Sequence, residues 1–329
     1  MDKTKSIKIE NKHGLAIEIL NYGATVSKLY VPNKFGAKTN VVVGLINPED
    51  YLSPPYERHT LFLGASIGRY AGRLGGNSLK ISGKHYDIYS ANGVHMHGGR
   101  NGLGRRTWKI LNVNKGENPF VELGITSKHL DEGYPGNLEV TVRYTLLESN
   151  TLRVTYFAKT DRNTVVNLTN HAYFNLDGGG TILNHKLVLN SLKRLEVDEK
   201  QLPTGRLVKV RNSRFDFTTM RKIGDNDFKG LDDTFVLNDN QYSSATLSSK
   251  KSGILMKVHT NQPSLVVFTP QAFPILPLNA TYRNYGAICF EAQNYPDAPN
   301  ITSFPSAMLA PYEVYHYSTS FSFDLVKDC

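Results

Sequence analysis

The chain has 329 residues, 40% of them hydrophobic and 20% charged, so its composition is that of a folded globular protein and not of a disordered or fibrous one. The net charge of +9 comes from single or paired basic residues, which argues against the long basic arm typical of nucleic-acid or membrane binding. No apolar run is long enough for a signal peptide or a membrane span, and the two cysteines, Cys289 and Cys329, are too few for a disulfide framework; we expect a cytoplasmic protein.

Alternation of apolar and polar residues with a period of two predicts short strands along the chain. These strands are expected at 6–10, 15–20, 25–31, 138–144, 152–156, 186–189, 265–269 and 320–325. The clearest pair, 138–144 and 152–156, is joined by a turn at 148–150 and predicts an antiparallel hairpin. Helical signals are few and short; one is Asn47 as an N-cap followed by Pro48. No repeat or linker is visible, so we expect an all-β fold in a single domain, residues 1–329.

The segment from Gly64 to Gly68 (G-A-S-I-G) matches the pattern of a nucleophile elbow, which would make Ser66 an acyl-transfer nucleophile. An elbow requires a helix directly after the serine. Here three glycines fall within residues 72–76, and glycine disfavours helices. We therefore interpret this match as accidental.

His95 and His97 are separated by one residue, a spacing that places two imidazoles on one face of a strand and is used for zinc. A metal needs further ligands, and no second Cys/His cluster supplies them. Two glycines follow His97 and suggest a loop. Metal binding is the weaker interpretation; we expect one histidine to belong to a functional site and the other to support packing.

Two segments combine polar groups with apolar surroundings. Residues 167–176 (N-L-T-N-H-A-Y-F-N-L) interleave amides and His171 with aromatic residues. Glu291 is flanked by Phe290 and Ala292, so its carboxyl group should be partly desolvated and its pKa raised towards the range useful for a general base. A buried histidine is more often a core residue than a ligand, but the density of polar groups here favours a site.

Five polar residues are scattered along the chain, as expected when a β scaffold gathers side chains into one cleft: Arg73, His97, His171, Asp232 and Glu291. Neither a dinucleotide-binding nor a phosphate-cradling loop is present. We expect no cofactor and no metal. Acid/base groups, hydrogen-bonding groups and aromatic surfaces together suit sugar chemistry.

The chain resembles the aldose 1-epimerase (galactose mutarotase) family over nearly its whole length. The resemblance rests on six segments in the family's order: 67–74 (IGRYAGRL), 97–99 (HGG), 167–176, 231–235 (LDDTF), 291–300 (EAQNYPDAPN) and an ending at 311–321 that includes PYEVY and TSF. It implies a large antiparallel β-sandwich with an open sugar cleft, and an activity that interconverts the α- and β-anomers of free aldohexoses such as galactose and glucose.

The resemblance also implies roles for individual residues. Glu291 matches the family's general base and His171 its general acid. Arg73 and His97 match positions that bind sugar hydroxyls and the ring-oxygen side, and Asp232 matches the aspartate that holds hydroxyls on the far side of the ring.

Two departures bear on substrate preference. Many members have Asn where this chain has Gly72, and many have His where it has Asp233. Neither position belongs to the acid/base pair. Gln271 is a candidate for supplying a replacement amide to the substrate.

Alternative functions stay open at this stage: a mutarotase for phosphorylated hexoses or other aldoses, or a non-catalytic sugar-binding module. The +9 charge encourages the first, which would need a basic cluster in the cleft. Retention of both Glu291 and His171 argues against the second. The expected partner is a small monosaccharide, with no nucleic acid and no membrane, and the chain is expected to be a monomer or weak homodimer.

Overall fold

Antiparallel strands make up nearly all the regular structure of this computed structural model, which describes residues 4–225, 228–238 and 243–326. In chain order, the first strands are β1 Ser6–Glu10, β2 Ala16–Leu20, β3 Thr25–Pro32, β4 Lys38–Asn40, β5 Ser66–Ile67, β6 Arg73–Gly75, β7 Ser78–Ile81, β8 Lys84–Asp87, β9 Val94–Met96, β10 Lys109–Asn114, β11 Phe120–Ser127, β12 Leu138–Leu147 and β13 Thr151–Thr160. The remaining strands are β14 Thr164–Val165, β15 Thr169–Asn170, β16 Tyr173–Phe174, β17 Lys186–Leu189, β18 Lys193–Val197, β19 Pro203–Lys209, β20 Arg221–Lys222, β21 Asp232–Val236, β22 Ala245–Ser248, β23 Ile254–Thr260, β24 Ser264–Phe268, β25 Ile288–Gln293, β26 Met308–Leu309 and β27 Tyr315–Leu325.

Helices are short in the described parts of the chain. The single α-helix, α1, spans Pro54–Glu57, and 3-10 turns span Pro48–Leu52, Leu103–Arg105 and Ala298–Asn300. None of these is long and apolar enough to cross a membrane. The expected N-cap at Asn47 does precede a 3-10 turn with proline at its start, although the Asn47 side chain makes no capping hydrogen bond.

Three sheets hold most of the strands. A nine-stranded sheet has the order β10-β11-β12-β13-β27-β23-β22-β17-β20, a six-stranded sheet has the order β16-β25-β24-β21-β18-β19, and a four-stranded sheet runs β1-β2-β3-β4. One apolar core joins them, because it contains Val142 and Phe321 of the nine-stranded sheet, Phe290 of the six-stranded sheet and Ile17 of the four-stranded sheet. The predicted all-β sandwich with few short helices is confirmed.

The predicted hairpin is present and longer than its sequence pattern indicated. β12 and β13 pair antiparallel from Leu138 opposite Thr160 to Leu147 opposite Thr151, so the turn falls on 148–150 as expected. The inward residues Val140, Val142 and Leu152 are buried in the core. Cys329 lies outside the described residues.

The six-stranded sheet has two faces with different surroundings. Successive side chains of a strand point to opposite faces. On one, which we name the core face, Phe235, Leu265, Val267, Phe290 and Ala292 join the apolar core. On the other, the cleft face, the alternate residues Asp232, Thr234, Val266, Phe268, Glu291 and Gln293 line a cavity. The same strands therefore build the core and the floor of the cavity.

Candidate active site

The cleft face forms the floor of a cavity of about 190 Å³. Five of the six residues expected at a site from the sequence line it, namely Arg73, His97, His171, Asp232 and Glu291. They come from separate parts of the chain: β6, the turn after β9, the link between β15 and β16, β21 and β25. Tertiary structure thus gathers residues that are up to 218 positions apart in the sequence, from Arg73 to Glu291.

Strand register sets the floor of the cavity. Glu291 of β25 lies opposite Val266 of β24, which lies opposite Thr234 of β21. The next row on the same face runs from Cys289 through Phe268 to Asp232. Because pairing fixes these rows, the Glu291 and Asp232 carboxyl groups project from the same face at different ends of the floor.

His171 faces Glu291 from the wall of the cavity. The short strands β15 and β16 are interrupted at this residue, and its backbone pairs instead with 64–65: Gly64 N–H donates to the His171 carbonyl, and His171 N–H donates to Ala65. Its Nε2 lies 3.5 Å from Glu291 Oε1, and its Nδ1 lies 3.7 Å from Cys289 Sγ. Both side chains of the pair are about 95% buried, with 5% and 4% exposure.

Burial shifts the pKa of each residue of this pair in the direction that favours the uncharged side chain. Desolvation, reinforced by Asp232 and opposed by Arg73, raises the pKa of Glu291 to about 8. Desolvation lowers the pKa of His171 to about 4. The rise expected for Glu291 from its apolar neighbours is therefore present. Between about pH 4 and about pH 8 the two residues together hold one proton. An acid and a base that exchange a proton require this protonation state.

Aromatic rings hold the His171 imidazole in place. Tyr173 stacks on it with ring centroids 5.0 Å apart and an interplanar angle of 22°, and Phe268 contacts it edge-on at 6.4 Å. Tyr173 is itself anchored, because its hydroxyl donates to the Leu61 carbonyl at 2.8 Å. The imidazole consequently has a fixed orientation relative to Glu291.

His97 lines the cavity next to His171, with ring centroids 5.5 Å apart. Its backbone conformation is left-handed, φ +50°, which is strained for a non-glycine residue and typical of functional positions. The strain is held by backbone pairing: His97 N–H donates to the Gly72 carbonyl, and Gly72 N–H donates to His97 Nδ1 at 3.2 Å. Nε2 is thereby the nitrogen left for a ligand. Burial, reinforced by the neighbouring His171, Arg73 and His95, holds the pKa of His97 well below its usual value.

Arg73 and Asp232 form an ion pair at the open end of the cavity. Arg73 Nη2 donates to Asp232 Oδ2 at 3.1 Å, and the side chains are 23% and 38% exposed. Partial exposure weakens such a pair. The Arg73 guanidinium and the Asp232 carboxylate can therefore form hydrogen bonds with a polar ligand in place of part of their contact with each other.

Gln271 does not line this cavity. It is exposed and borders an adjoining, more open hollow of about 360 Å³ that shares Asp232 and Phe268 with the first. Asp233, one of the two departures from the family pattern, also borders that hollow, where Arg194 Nη1 approaches its carboxylate at 3.3 Å. Gly72, the other departure, lines the cavity itself.

Two motifs weighed in the sequence have structural roles. Both ring nitrogens of His95 have partners, the Tyr89 carbonyl at 2.6 Å and the Tyr134 hydroxyl at 2.6 Å, so His95 supports packing while His97 faces the cavity. Ser66 is buried and bonds to the hydroxyls of Tyr144 and Tyr156. Ser66 lies on β5, and no helix of the described chain follows it before Leu103.

Ligand atoms of His97, His171 and Glu291 lie within 4.8 Å of one another. Two imidazoles and a carboxylate are donors that suit Zn²⁺. The same three groups suit proton transfer to and from a bound sugar. The expectation from the sequence, that no metal is used, stays a prediction.

Sequence reasoning missed several residues of the cavity, among them Tyr173, Phe268 and Gln293. One of them carried a usable signal. Gln293 is two residues after Glu291, and residues two apart on a strand share a face. Tyr173 follows His171 across the gap between β15 and β16, so no strand pattern relates those two. For Phe268 the signal was only the pairing of β24 with β25, which no local pattern specifies.

The chain is similar to aldose 1-epimerases in sequence and in structure. The family model for aldose 1-epimerase matches residues 5–322. An aldose 1-epimerase of Escherichia coli (strain K12) is 32% identical over 334 residues, covering 96% of this chain and 94% of the relative. A galactose mutarotase of Sus scrofa is 32% identical over 323 residues, covering 94% and 92%. The crystal structure of an aldose epimerase homologue from C. elegans superposes with a TM-score of 0.91 at 29% identity, covering 99% of this chain and 100% of that one.

Proposed function

The chain belongs to the aldose 1-epimerase family, and from that premise we propose that its cavity interconverts the α- and β-anomers of a free aldohexose such as galactose or glucose through Glu291 and His171. The observation that carries the proposal is the buried pair itself, with His171 Nε2 3.5 Å from Glu291 Oε1. Anomer exchange needs one base and one acid beside the same carbon atom. Each positioned group contributes on the order of 10²–10⁴-fold to such a reaction.

Ring opening requires two proton transfers. Glu291 removes the proton of the anomeric hydroxyl, and the electrons of that O–H bond form the aldehyde carbonyl. The bond between the anomeric carbon and the ring oxygen breaks, and the ring oxygen takes its electron pair together with a proton from His171 Nε2. The product is the open-chain aldose, with the proton now on Glu291.

Ring closure reverses these transfers on the other face of the aldehyde. Rotation about the bond between the first two carbons presents that face to the former ring oxygen. His171 takes the hydroxyl proton as the oxygen attacks, and Glu291 returns its proton to the carbonyl oxygen. Both residues end in their starting states, so no redox step and no group transfer is involved.

The distribution of the single proton is set by the substrate. In the unliganded pair, burial favours the proton on Glu291. A hydrogen bond from the anomeric hydroxyl favours the carboxylate form, and Arg73 also lowers the pKa of Glu291. Binding of a sugar therefore moves the pair towards carboxylate and imidazolium, the distribution that starts ring opening.

We assign sugar binding to the remaining polar groups of the cavity. His97 Nε2 and Arg73 would hold hydroxyls and stabilise negative charge developing on oxygen, and Asp232 would accept from hydroxyls at the open end. Arg73 is the one Lys or Arg among the described residues that line the cavity, and it is paired with Asp232. This supports an unphosphorylated substrate, because a phosphate group would call for a basic cluster.

Gln271 has a different part in this proposal. It borders the adjoining hollow, so we propose that it contacts only substituents of the sugar that extend past Asp232. We further propose that residues 1–329 form one domain acting in the cytoplasm as a monomer or weak homodimer, without a cofactor or metal. The apolar core shared by the three large sheets supports the one-domain assignment.

The test is polarimetry of freshly dissolved α-galactose and α-glucose. We expect the wild-type protein to accelerate mutarotation, a chelator to leave the rate unchanged, and Glu291→Gln to reduce it to near the uncatalysed level while the circular dichroism spectrum stays that of a folded protein. A Glu291→Gln variant with near-wild-type rate would overturn the role of Glu291. Loss of activity on chelation would overturn the metal-free assignment.

A further inference from the structure

Gln293 is a buried residue of the cavity whose side chain has no hydrogen-bond partner among the described residues. It is 0% exposed, and both Oε1 and Nε2 are unpartnered. Its backbone is well satisfied, since the carbonyl accepts a hydrogen bond from Ser264 Oγ at 2.7 Å. Buried polar groups are nearly always paired, because an unpaired one loses its hydration without compensation. An unpartnered amide in this place therefore needs a reason.

Strand geometry directs this amide into the cavity. Gln293 and Glu291 are two residues apart on β25, so their side chains share the cleft face. Gln293 lines the cavity together with Arg73 and His97. Its amide thus borders the space that a molecule in contact with Glu291 would occupy.

Gly72 lies directly beside the amide and has no side chain to crowd it. A Cβ at position 72 would lie 2.9 Å from Gln293 Nε2 and 3.3 Å from Pro296 Cγ, and the backbone there has φ +81°. A side chain at position 72 would therefore press on the amide nitrogen. Glycine meets both requirements, the left-handed backbone and the close approach of that backbone to Nε2.

We propose that Gln293 binds the substrate through two adjacent ring hydroxyls, with Nε2 donating to the oxygen of one and Oε1 accepting the proton of the other. This inference rests on the proposed function and adds a specificity-determining residue to it. A carboxamide offers a donor and an acceptor side by side, which matches neighbouring hydroxyls of an aldose. A sugar that lacks one of them would leave a buried amide atom unpaired, which is a strong source of discrimination.

The test compares Gln293→Met with a matched control, Gln262→Met. Methionine has about the size of glutamine but no amide, so Gln293→Met should not lower the melting temperature. It should raise KM for galactose and lower kcat/KM about tenfold or more with kcat nearly unchanged. Gln262 is also buried but lies outside the cavity and donates to the Tyr315 hydroxyl. Gln262→Met should therefore lose stability and keep kcat/KM.

A set of deoxygalactoses identifies the hydroxyls. For the wild-type enzyme, removal of a hydroxyl held by Gln293 should lower kcat/KM about tenfold or more, whereas the same removal should cost Gln293→Met less than about twofold. If the Met variant stays within twofold of wild type on every sugar, or if its melting temperature falls as in Gln262→Met while KM does not change, the proposal is wrong.

Failure of the proposed function gives a different result. If the wild-type protein does not accelerate mutarotation, calorimetric titration with galactose replaces the kinetic readout. Weaker galactose binding by Gln293→Met than by wild type then supports the role of Gln293. Equal binding, or no binding by either protein, contradicts it.

Discussion

The two faces of the six-stranded sheet are built by the same strands, but burial on them has opposite effects on stability. On the core face, Val267 and Phe290 bury apolar surface and nothing else. One residue away, on the cleft face, Glu291 is buried with a pKa raised to about 8, and the buried Gln293 amide has no partner in the part of the chain that the structure describes. Burial of apolar groups stabilises the fold, whereas burial of these polar groups costs stability. This protein therefore concentrates reactive groups on a face whose stability is supplied by the reverse side of the same strands.

The largest effect on activity is expected from replacing His171, the proposed general acid of the cavity. His171→Ala should lower kcat on galactose by about 10²–10⁴-fold, because the ring oxygen loses its proton donor, while the unfolding curve remains cooperative. Polarimetry with freshly dissolved α-galactose measures this. The control is His185→Asn, since His185 is equally buried but lies outside the cavity; it should lose stability and keep kcat. A His171→Ala rate within tenfold of wild type would contradict the assignment.

Two adjacent valines of β24 test directly whether the two faces of the sheet differ in their contributions to stability and activity. Val267 faces the core and is 0% exposed, and Val266 faces the cavity and is 9% exposed. Val267→Ala should lower the free energy of unfolding by about 2–3 kcal/mol through lost burial and a new void, with kcat unchanged. Val266→Ala should cost less than half as much and alter KM instead. Urea denaturation and steady-state kinetics distinguish the two, and equal losses of stability would show that the faces do not differ.

The pH dependence of kcat/KM tests whether burial on the cleft face shifts the pKa values of Glu291 and His171. The Glu291–His171 pair holds one proton between about pH 4 and about pH 8. Above about pH 8 the pair loses that proton and with it the acid; below about pH 4 it gains a second proton and loses the base. We expect a plateau with limbs that fall about tenfold per pH unit. A single limb near pH 6.5, the pKa of an exposed histidine, would indicate that the pair is not buried in solution.

The smallest effect concerns stability. Burial raises the folded-state pKa of Glu291 from its ordinary value of 4.5 to about 8, so folding favours the protonated carboxyl group. The folded state is therefore destabilised as the pH rises from about 4.5 to about 8. Glu291→Gln stays neutral throughout. Its melting temperature relative to wild type should therefore rise between pH 5 and pH 9, by about 2 °C or more. A difference that does not change with pH would mean that the ionised carboxylate is not penalised by burial.

Much of the fold was predictable from local pattern. The alternation in β12 and β13 identified their hairpin, because each strand buries one face and a period of two follows directly from strand geometry. The polar segment around His171 and the apolar flanks of Glu291 marked positions that line the cavity. Gln271 was different: the sequence suggested it as a replacement for the amide missing at Gly72, and the path of the chain after Phe268 carries it to the adjoining hollow.

The amino-acid sequence by itself determined the all-β class, the main strands and the residue types able to transfer protons, because periodicity and side-chain chemistry are local properties. Only the tertiary structure decided that Glu291 lies 3.5 Å from His171 and that Asp232 and Arg73 meet at the cavity's open end. It also decided that the Gln293 amide, beside Gly72, has no partner among residues 4–225, 228–238 and 243–326. Those facts depend on which strands pair and in which register, and pairing between segments far apart in the chain leaves no signature in either segment alone.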